Sequence, residues 1–124
     1  MAEQALADDP ATRGRLTIRE KAVERVAFAA ALEVDGVVRE SHGIGKLAGR
    51  ELPRSDIVMS GDHVRASVDI AVLWGSSLSE TASEVRRRVG HGLADLSGLI
   101  VDAVDVRVRS VVAPDAGHRM RELQ

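Results

Sequence analysis

The sequence predicts an α+β fold: a two-layer sandwich in which two helices pack on one face of a mostly antiparallel sheet, in the order α-β-β-β-α-β. Two segments with helical spacing of apolar residues, each ending near a glycine, predict the helices. Segments in which apolar and polar residues alternate predict the strands. Short turns between the strands favour antiparallel neighbours, and one polar side on each helix favours a single helical layer.

The first helix is predicted from Ile18 to Val34. Thr17 followed three residues later by Glu20 forms a capping-box pattern, which is typical of a helix N-terminus. The segment contains good helix formers without Gly or Pro until Gly36, where we expect a left-handed C-terminal residue.

Three strands are predicted between the helices. The segment from Val37 to Glu40 gives a short first strand, and that from Asp56 to Met59 gives the second. The residues Ser60-Gly61-Asp62 predict a turn. From Val64 to Val72 apolar residues alternate with polar ones, which predicts a half-buried strand.

A second helix and a closing strand complete the fold. Ser77 and Glu80 form another capping box, and an apolar stripe precedes Gly98. The final strand is predicted from about Leu99 to Val112 because valines alternate with Asp and Arg. The stripe consists of Leu78, Ala82, Val85, Val89, Leu93 and Leu96.

Length and composition predict one domain. A chain of 124 residues, 44% hydrophobic and 29% charged, falls in the range of single globular domains. We expect flexible tails at residues 1–13 and 113–124, which lack periodic apolar residues, and a domain at residues 14–112. Neither a signal peptide nor a stretch long enough to cross a bilayer is recognisable, so we expect no direct membrane insertion.

No motif predicts a catalytic residue, a metal site or a cofactor site. The glycine-rich segment from Ser41 to Arg50 lacks the spacing of a dinucleotide fingerprint, and no Ser or Thr follows Lys46 as a phosphate-binding loop requires. The four histidines are scattered and cysteine is absent. We therefore expect a loop in this segment and a protein that is not an enzyme.

Arginines supply two candidate anion-binding surfaces. Arg86, Arg87 and Arg88 are consecutive on the second helix, so their side chains should fan apart, and Arg88 can pair with Glu84. On the outer sheet face the candidates are Arg65, Arg107 and Arg109, although Asp69 and Asp105 share that face and cross-strand ion pairs are an equal alternative.

The later turns of the first helix supply a candidate protein interface. Phe28, Ala31 and Leu32 lie toward the side that is polar in the earlier turns. One interpretation is a self-association or partner surface. The alternative is that the loop from Ser41 to Arg54 or a terminal tail covers the patch and makes it ordinary core.

Residues 14–112 resemble the bacterial alkaline shock protein family of envelope stress response proteins. The resemblance lies in the order of several motifs: Glu33-Val34-x-Gly36-Val37, the step Trp74-Gly75, and Ser97-Gly98-Leu99 before the terminal strand of alternating valines. It implies a small, non-enzymatic α+β protein that forms homo-oligomers. It also implies docking to a membrane-anchored protein partner, which can belong to the same family.

The resemblance places the protein in the cytoplasm, at the inner face of the cell membrane through that partner. The alternative function is an RNA-associated α+β binding module. The near absence of aromatic residues and a net charge of −2 speak against it, whereas Arg107, Arg109 and the helix arginines favour it. We expect no specific nucleic-acid binding.

Overall fold

The computed structural model describes residues 10–41, 51–96 and 98–114. These residues form two helices and four strands in the predicted order α-β-β-β-α-β. The elements are α1 (Pro10–Leu32), β1 (Val37–Val38), β2 (Arg54–Ser60), β3 (His63–Leu73), α2 (Leu78–Ala94) and β4 (Ile100–Val112).

The sheet is built around β3. Strands β1 and β2 pair antiparallel with its two halves, with Val37 opposite Val72 and Ile57 opposite Ala66. Strand β4 pairs with β3 in parallel. The parallel pair follows from the helical connection, since α2 carries the chain back to the end of the sheet where β3 began. The prediction of a mostly antiparallel sheet with helices on one face is confirmed.

The core lies between β3 and the two helices. Alternate residues of β3, from Val64 to Val72, are buried beneath the helices, whereas His63 and Arg65 on the opposite face are exposed. Such alternation is the pattern of a sheet with one covered face. The largest fully buried side chains are Ile70, Leu93, Val64, Val68, Val72, Val85 and Val89.

Helix α1 begins earlier than the sequence analysis predicted. It starts at Pro10, so Thr17 lies inside the helix, and its assignment as the N-terminal cap is wrong. A proline fits the first helical position because the amide hydrogen it lacks would have no partner there. The helix ends at Leu32, and Gly36 adopts the expected left-handed conformation with φ of +93°.

Helix α2 confirms Ser77 as its N-terminal cap. It begins at Leu78, and the Ser77 side chain accepts a hydrogen bond from the Glu80 main-chain N–H at 3.3 Å. The buried stripe differs at its first turn, because Thr81 is buried and Leu78 is 44% exposed. Leu78 is the first residue of the helix.

The predicted strands are confirmed with shifted bounds. Strand β1 has two residues instead of four, and beyond it Glu40 forms an isolated bridge with Leu52. Strand β2 starts at Arg54, two residues before the predicted start. Most of the predicted glycine-rich loop, residues 42–50, falls outside the described residues.

Candidate interaction surfaces

The predicted patch on α1 is divided by the fold. Ala31 is completely buried in the core beneath α1, so it offers no contact to a partner, and its assignment to the interface is wrong. Phe28 and Leu32 are partly buried, and Leu32 packs against the core. The divided patch follows from helical geometry, since successive residues point about 100° apart. Of the three predicted interface residues, only Phe28 and Leu32 keep accessible apolar surface.

Arg39 covers part of the Phe28 ring. Its guanidinium carbon lies 5.3 Å from the ring centroid, in the range of a cation–π contact. Arg39 follows β1 directly and is exposed. The described residue over the ring is therefore a charged side chain. Of the predicted covering loop from Ser41 to Arg54, residues 42–50 lie outside the described residues.

The predicted arginine surface on the outer sheet face is occupied by ion pairs. Arg107 Nε lies 3.4 Å and Arg109 Nε 3.9 Å from the two carboxylate oxygens of Asp69. Register places Asp69 opposite Arg107 and Asp105 opposite Ser67, so acidic side chains share this face with the arginines. Arg65 is exposed on the same face and has no ion pair with a described residue. Arg107 and Arg109 flank a carboxylate instead of forming an open anion site.

The three consecutive arginines of α2 do not all fan apart as predicted, because Arg87 and Arg88 converge on the carboxylate of Glu84, and only Arg86 turns to another element. Arg86 Nε donates to the main-chain carbonyl of Val104 on β4 at 3.2 Å. Arg87 and Arg88 both donate to Glu84, from Nε at 3.1 Å and 2.9 Å. These donors lower the pKa of Glu84 to about 2, and the same carboxylate raises the pKa of Arg87. Arg88 also reaches Glu33 of the segment after α1, at 3.5 Å.

An acidic cleft, absent from the sequence predictions, lies between the end of α1 and the first turns of α2. It has a volume of about 350 Å³, at the small end of the range for ligand pockets. We call it the acidic cleft and define it by its lining residues, which carry four carboxylates and one guanidinium: Glu33, Val34, Asp35, Glu80, Thr81, Glu84 and Arg88.

Sheet pairing brings the two sides of the acidic cleft together. The main-chain N–H of Leu73 donates to the carbonyl of Gly36 at 2.8 Å, which fixes the turn after α1 beside the turn before α2. The approach is close enough that a Cβ on Gly36 would lie 2.9 Å from Ser76 Oγ and 3.5 Å from Thr81 Oγ1. Glycine at position 36 is therefore required by both conformation and space.

Charges in the acidic cleft are unevenly compensated. Glu84 and Glu33 both contact Arg88. Asp35 and Glu80 are exposed and form no ion pair with any described residue. The compensated carboxylates lie on the Arg88 side, so the negative potential is concentrated at Asp35 and Glu80.

Thr81 lines the acidic cleft from α2 and is only 7% exposed. Its Oγ1 faces the turn at Gly36.

Among residues 10–41, 51–96 and 98–114, no group of three or more His, Asp or Glu side chains is arranged to hold a metal ion. Within the same residues, no helix combines the length and the apolar character needed to cross a bilayer. A second cleft of about 350 Å³ lies beside Glu40, and it is lined by Arg39, Glu40, Ser41, Glu51 and Leu52.

Fold and surfaces together define a small two-layer α+β domain with charged clefts and partly exposed apolar side chains. The model of the alkaline shock protein 23 family, described as having a cell envelope-related function, matches residues 8–113. The chain belongs to this family. Among curated proteins, none matches the sequence.

Solved structures with a similar fold include several forms of the MamM CTD. A nickel form is 18% identical, with a TM-score of 0.51, and the match covers 77% of this chain and 99% of that one. A zinc form is 19% identical, with a TM-score of 0.46, and the match covers 78% of this chain and 88% of the other. At this identity the likeness is one of fold, and the metals named belong to the MamM CTD.

Proposed function

We propose that this chain is a non-enzymatic envelope stress response protein that self-associates and docks to a membrane-anchored protein at the cytoplasmic face of the membrane. The observation that carries the proposal is the family match over residues 8–113, with its cell envelope-related function. Docking to an anchored protein would hold the chain near the membrane.

Exposed apolar side chains support a role in association. The only tryptophan, Trp74, is 72% exposed, and Val58 is 64% exposed. Phe28 and Leu32 add accessible apolar surface on α1. Aromatic side chains of this kind are typical anchors of protein interfaces, because they bury a large area on binding.

Self-association is tested by light scattering on the purified chain over a range of concentrations. We expect masses above the 13.3 kDa of the monomer. Phe28→Glu should weaken association by at least tenfold, because a charge would be buried in the apolar contact. The matched control is Ile18→Glu on the same helix, whose side chain is 70% exposed and should leave association unchanged.

Arg39→Glu provides a second variant for the same surface. It changes an exposed side chain above the Phe28 ring, so it tests the patch even where Phe28→Glu unfolds. A wild-type chain that remains monomeric at all concentrations would overturn the self-association proposal. Normal association of a folded Phe28→Glu chain and of Arg39→Glu would remove this patch from it.

A further inference from the structure

We propose that β4 pairs antiparallel with β4 of a second copy of this chain, about a two-fold axis at Val106. The two sheets would then form one continuous sheet across the axis. The proposal deepens the self-association in the proposed function and rests on it. It names a surface different from the Phe28 patch, which lies on α1, the helix that packs over β2.

One edge of β4, which we call the free edge, pairs with no described strand. The strand has 13 residues, Ile100–Val112, and its other edge pairs with β3. Because β1 and β2 pair with the same residues of β3 as β4 does, they occupy the far edge of β3. Unpaired edges bind other strands unless they are protected, for example by Pro or Lys. Strand β4 contains neither, and residues 103–108 keep a continuous register with β3.

One hydrogen bond shows which main-chain groups face the free edge. Arg86 of α2 donates from Nε to the carbonyl of Val104 at 3.2 Å, and this donor lies outside the β3–β4 ladder. The contact indicates that Val104 directs its main-chain groups to the free edge. Since alternate residues of a strand point to the same edge, Val106 and Val108 do so as well. The Val104 carbonyl keeps a second lone pair for an N–H of a pairing strand.

The charges of β4 are complementary to themselves in one register. With the axis at Val106, Asp105 of each copy lies opposite Arg107 of the other, so two pairs of opposite charge form. Moving the axis by one residue places either two Asp105 or two Arg107 side chains opposite each other. Moving it by two residues forms no pair of opposite charge. Opposite charges across strands stabilise pairing and like charges oppose it, so the pattern selects the axis at Val106 and a second copy as the occupant.

The side chains of this pair are available to a second copy. Asp105 is exposed and forms no ion pair with a described residue. The side chain of Arg107 is 61% exposed, and its Nε lies 3.4 Å from Asp69 on the β3 side. Its other side faces the free edge. A carboxylate from a second copy would therefore add to the contact with Asp69 instead of replacing it.

Valines on the helix-covered face of β4 favour the same pairing. Val104, Val106 and Val108 pack against the core but are only partly buried. In the selected register Val106 lies opposite its own copy, and Val104 lies opposite Val108. Cross-strand pairs of β-branched side chains stabilise a sheet. Pairing would therefore bury apolar surface on one face and join opposite charges on the other.

The test is sedimentation equilibrium of two charge-reversal variants, Asp105→Arg and Arg107→Asp, measured alone and mixed. Each variant alone places like charges opposite each other in the dimer, so we expect association weaker than that of the wild-type chain by about tenfold or more. A mixture of the two variants restores opposite charges at both positions. We expect the mixed dimer to be tighter than either variant alone by about tenfold or more. Association through α1 is present in every sample, so the comparison reports on β4.

The matched control is Asp56→Arg, which makes the same change of charge at an exposed position of β2, on the far edge of β3. It should change association by less than about twofold, since isolated surface charges contribute little. Amide hydrogen exchange by NMR tests the main-chain pairing directly. Exchange at Val106 and Val108 should slow as the concentration of the wild-type chain rises, and it should not slow in Asp105→Arg.

Three results would overturn β4 pairing and leave self-association intact: normal association of Asp105→Arg, a mixture no tighter than its components, or exchange at Val106 that ignores concentration while the chain associates. If Arg107→Asp fails to fold, Asp105→Arg and the exchange measurement still decide. A wild-type chain that remains monomeric would overturn both this proposal and self-association. A chain that pairs through β4 but does not bind native membranes would support this proposal and contradict the docking in the proposed function.

Discussion

Single residues decide whether the turns beside the acidic cleft can form. Gly36 combines φ of +93° with a position where a Cβ would lie 2.9 Å from Ser76 Oγ. Gly14 is the contrasting case, because it lies within α1 and a Cβ there would meet no atom within 4 Å. The same substitution should therefore have opposite effects at the two positions.

We predict that Gly36→Ala lowers the free energy of unfolding by about 1–3 kcal/mol, from backbone strain and the contact with Ser76. Gly14→Ala should raise it by about 0.5–1 kcal/mol, since alanine is the better helix former. Urea denaturation of both variants measures the difference. Equal changes in the free energy of unfolding would show that neither the positive φ nor the contact with Ser76 constrains position 36.

Glu84 gives a pH dependence with a defined sign. Hydrogen bonds from Arg87 and Arg88 lower its pKa from 4.5 to about 2 in the folded chain. The unfolded chain binds more protons between these values, so the stabilising contribution is complete above about pH 4.5 and is lost as the pH falls toward 2. Carboxyl NMR titration should place the Glu84 midpoint well below those of exposed glutamates. In Glu84→Gln this pH-dependent contribution to the free energy of unfolding should disappear. A Glu84 midpoint equal to that of an exposed glutamate would exclude its pairing with Arg87 and Arg88.

At the scale of elements, the two helices approach closely where α2 has a glycine. A Cβ on Gly92 would lie 3.2 Å from Val26 Cγ1 and 3.8 Å from Ala30 Cβ of α1. The small residue therefore sets the distance between the helices. A larger side chain must push α1 away or distort its own rotamer.

We predict that Gly92→Val lowers the free energy of unfolding by about 1–3 kcal/mol through overpacking. Val26→Ala in the same chain should recover part of the loss, because it removes the atom that the new side chain meets. A double-mutant cycle by chemical denaturation measures the coupling. Additive effects would show that Gly92 does not set the helix spacing through Val26.

Most elements could be predicted from local patterns, and the exceptions have physical reasons. The capping box at Ser77 marked the start of α2 correctly. The same pattern at Thr17 failed because a Ser/Thr-x-x-Glu sequence also fits inside a helix, whereas Pro10 was the valid start signal. The two-residue length of β1 depends on pairing with β3 and has no local signal.

The candidate surfaces were less predictable because they depend on contacts between distant segments. Glu33 and Asp35 are distant from Glu80 in the sequence. They line one cleft because β1 pairs with β3. The sequence pattern was sufficient to show that Phe28 is an apolar residue on the polar side of α1. The burial of Ala31 in the core depends on packing and could not be predicted in this way. Pairing of Arg107 and Arg109 with Asp69 also required the strand register.

At the scale of the whole molecule, charge balance limits binding to polyanions. The net charge is −2, and the arginines of the outer sheet face lie among carboxylates. We predict that RNA binding is weak, indifferent to sequence and lost at physiological salt. Fluorescence anisotropy with one RNA and with scrambled control RNAs measures the affinity. Sub-micromolar affinity for a single RNA at about 150 mM salt would favour the RNA-associated alternative.

In the proposed function, a protein partner holds this chain at the membrane. The most direct measurement is co-sedimentation of the purified chain with inside-out membrane vesicles from its own cells. The matched samples are the same vesicles after protease treatment and protein-free vesicles of the same lipids. We expect saturable binding to the native vesicles that is lost after protease treatment and absent on lipid alone. Equal binding to all three samples, or no binding to the native vesicles, would contradict the account.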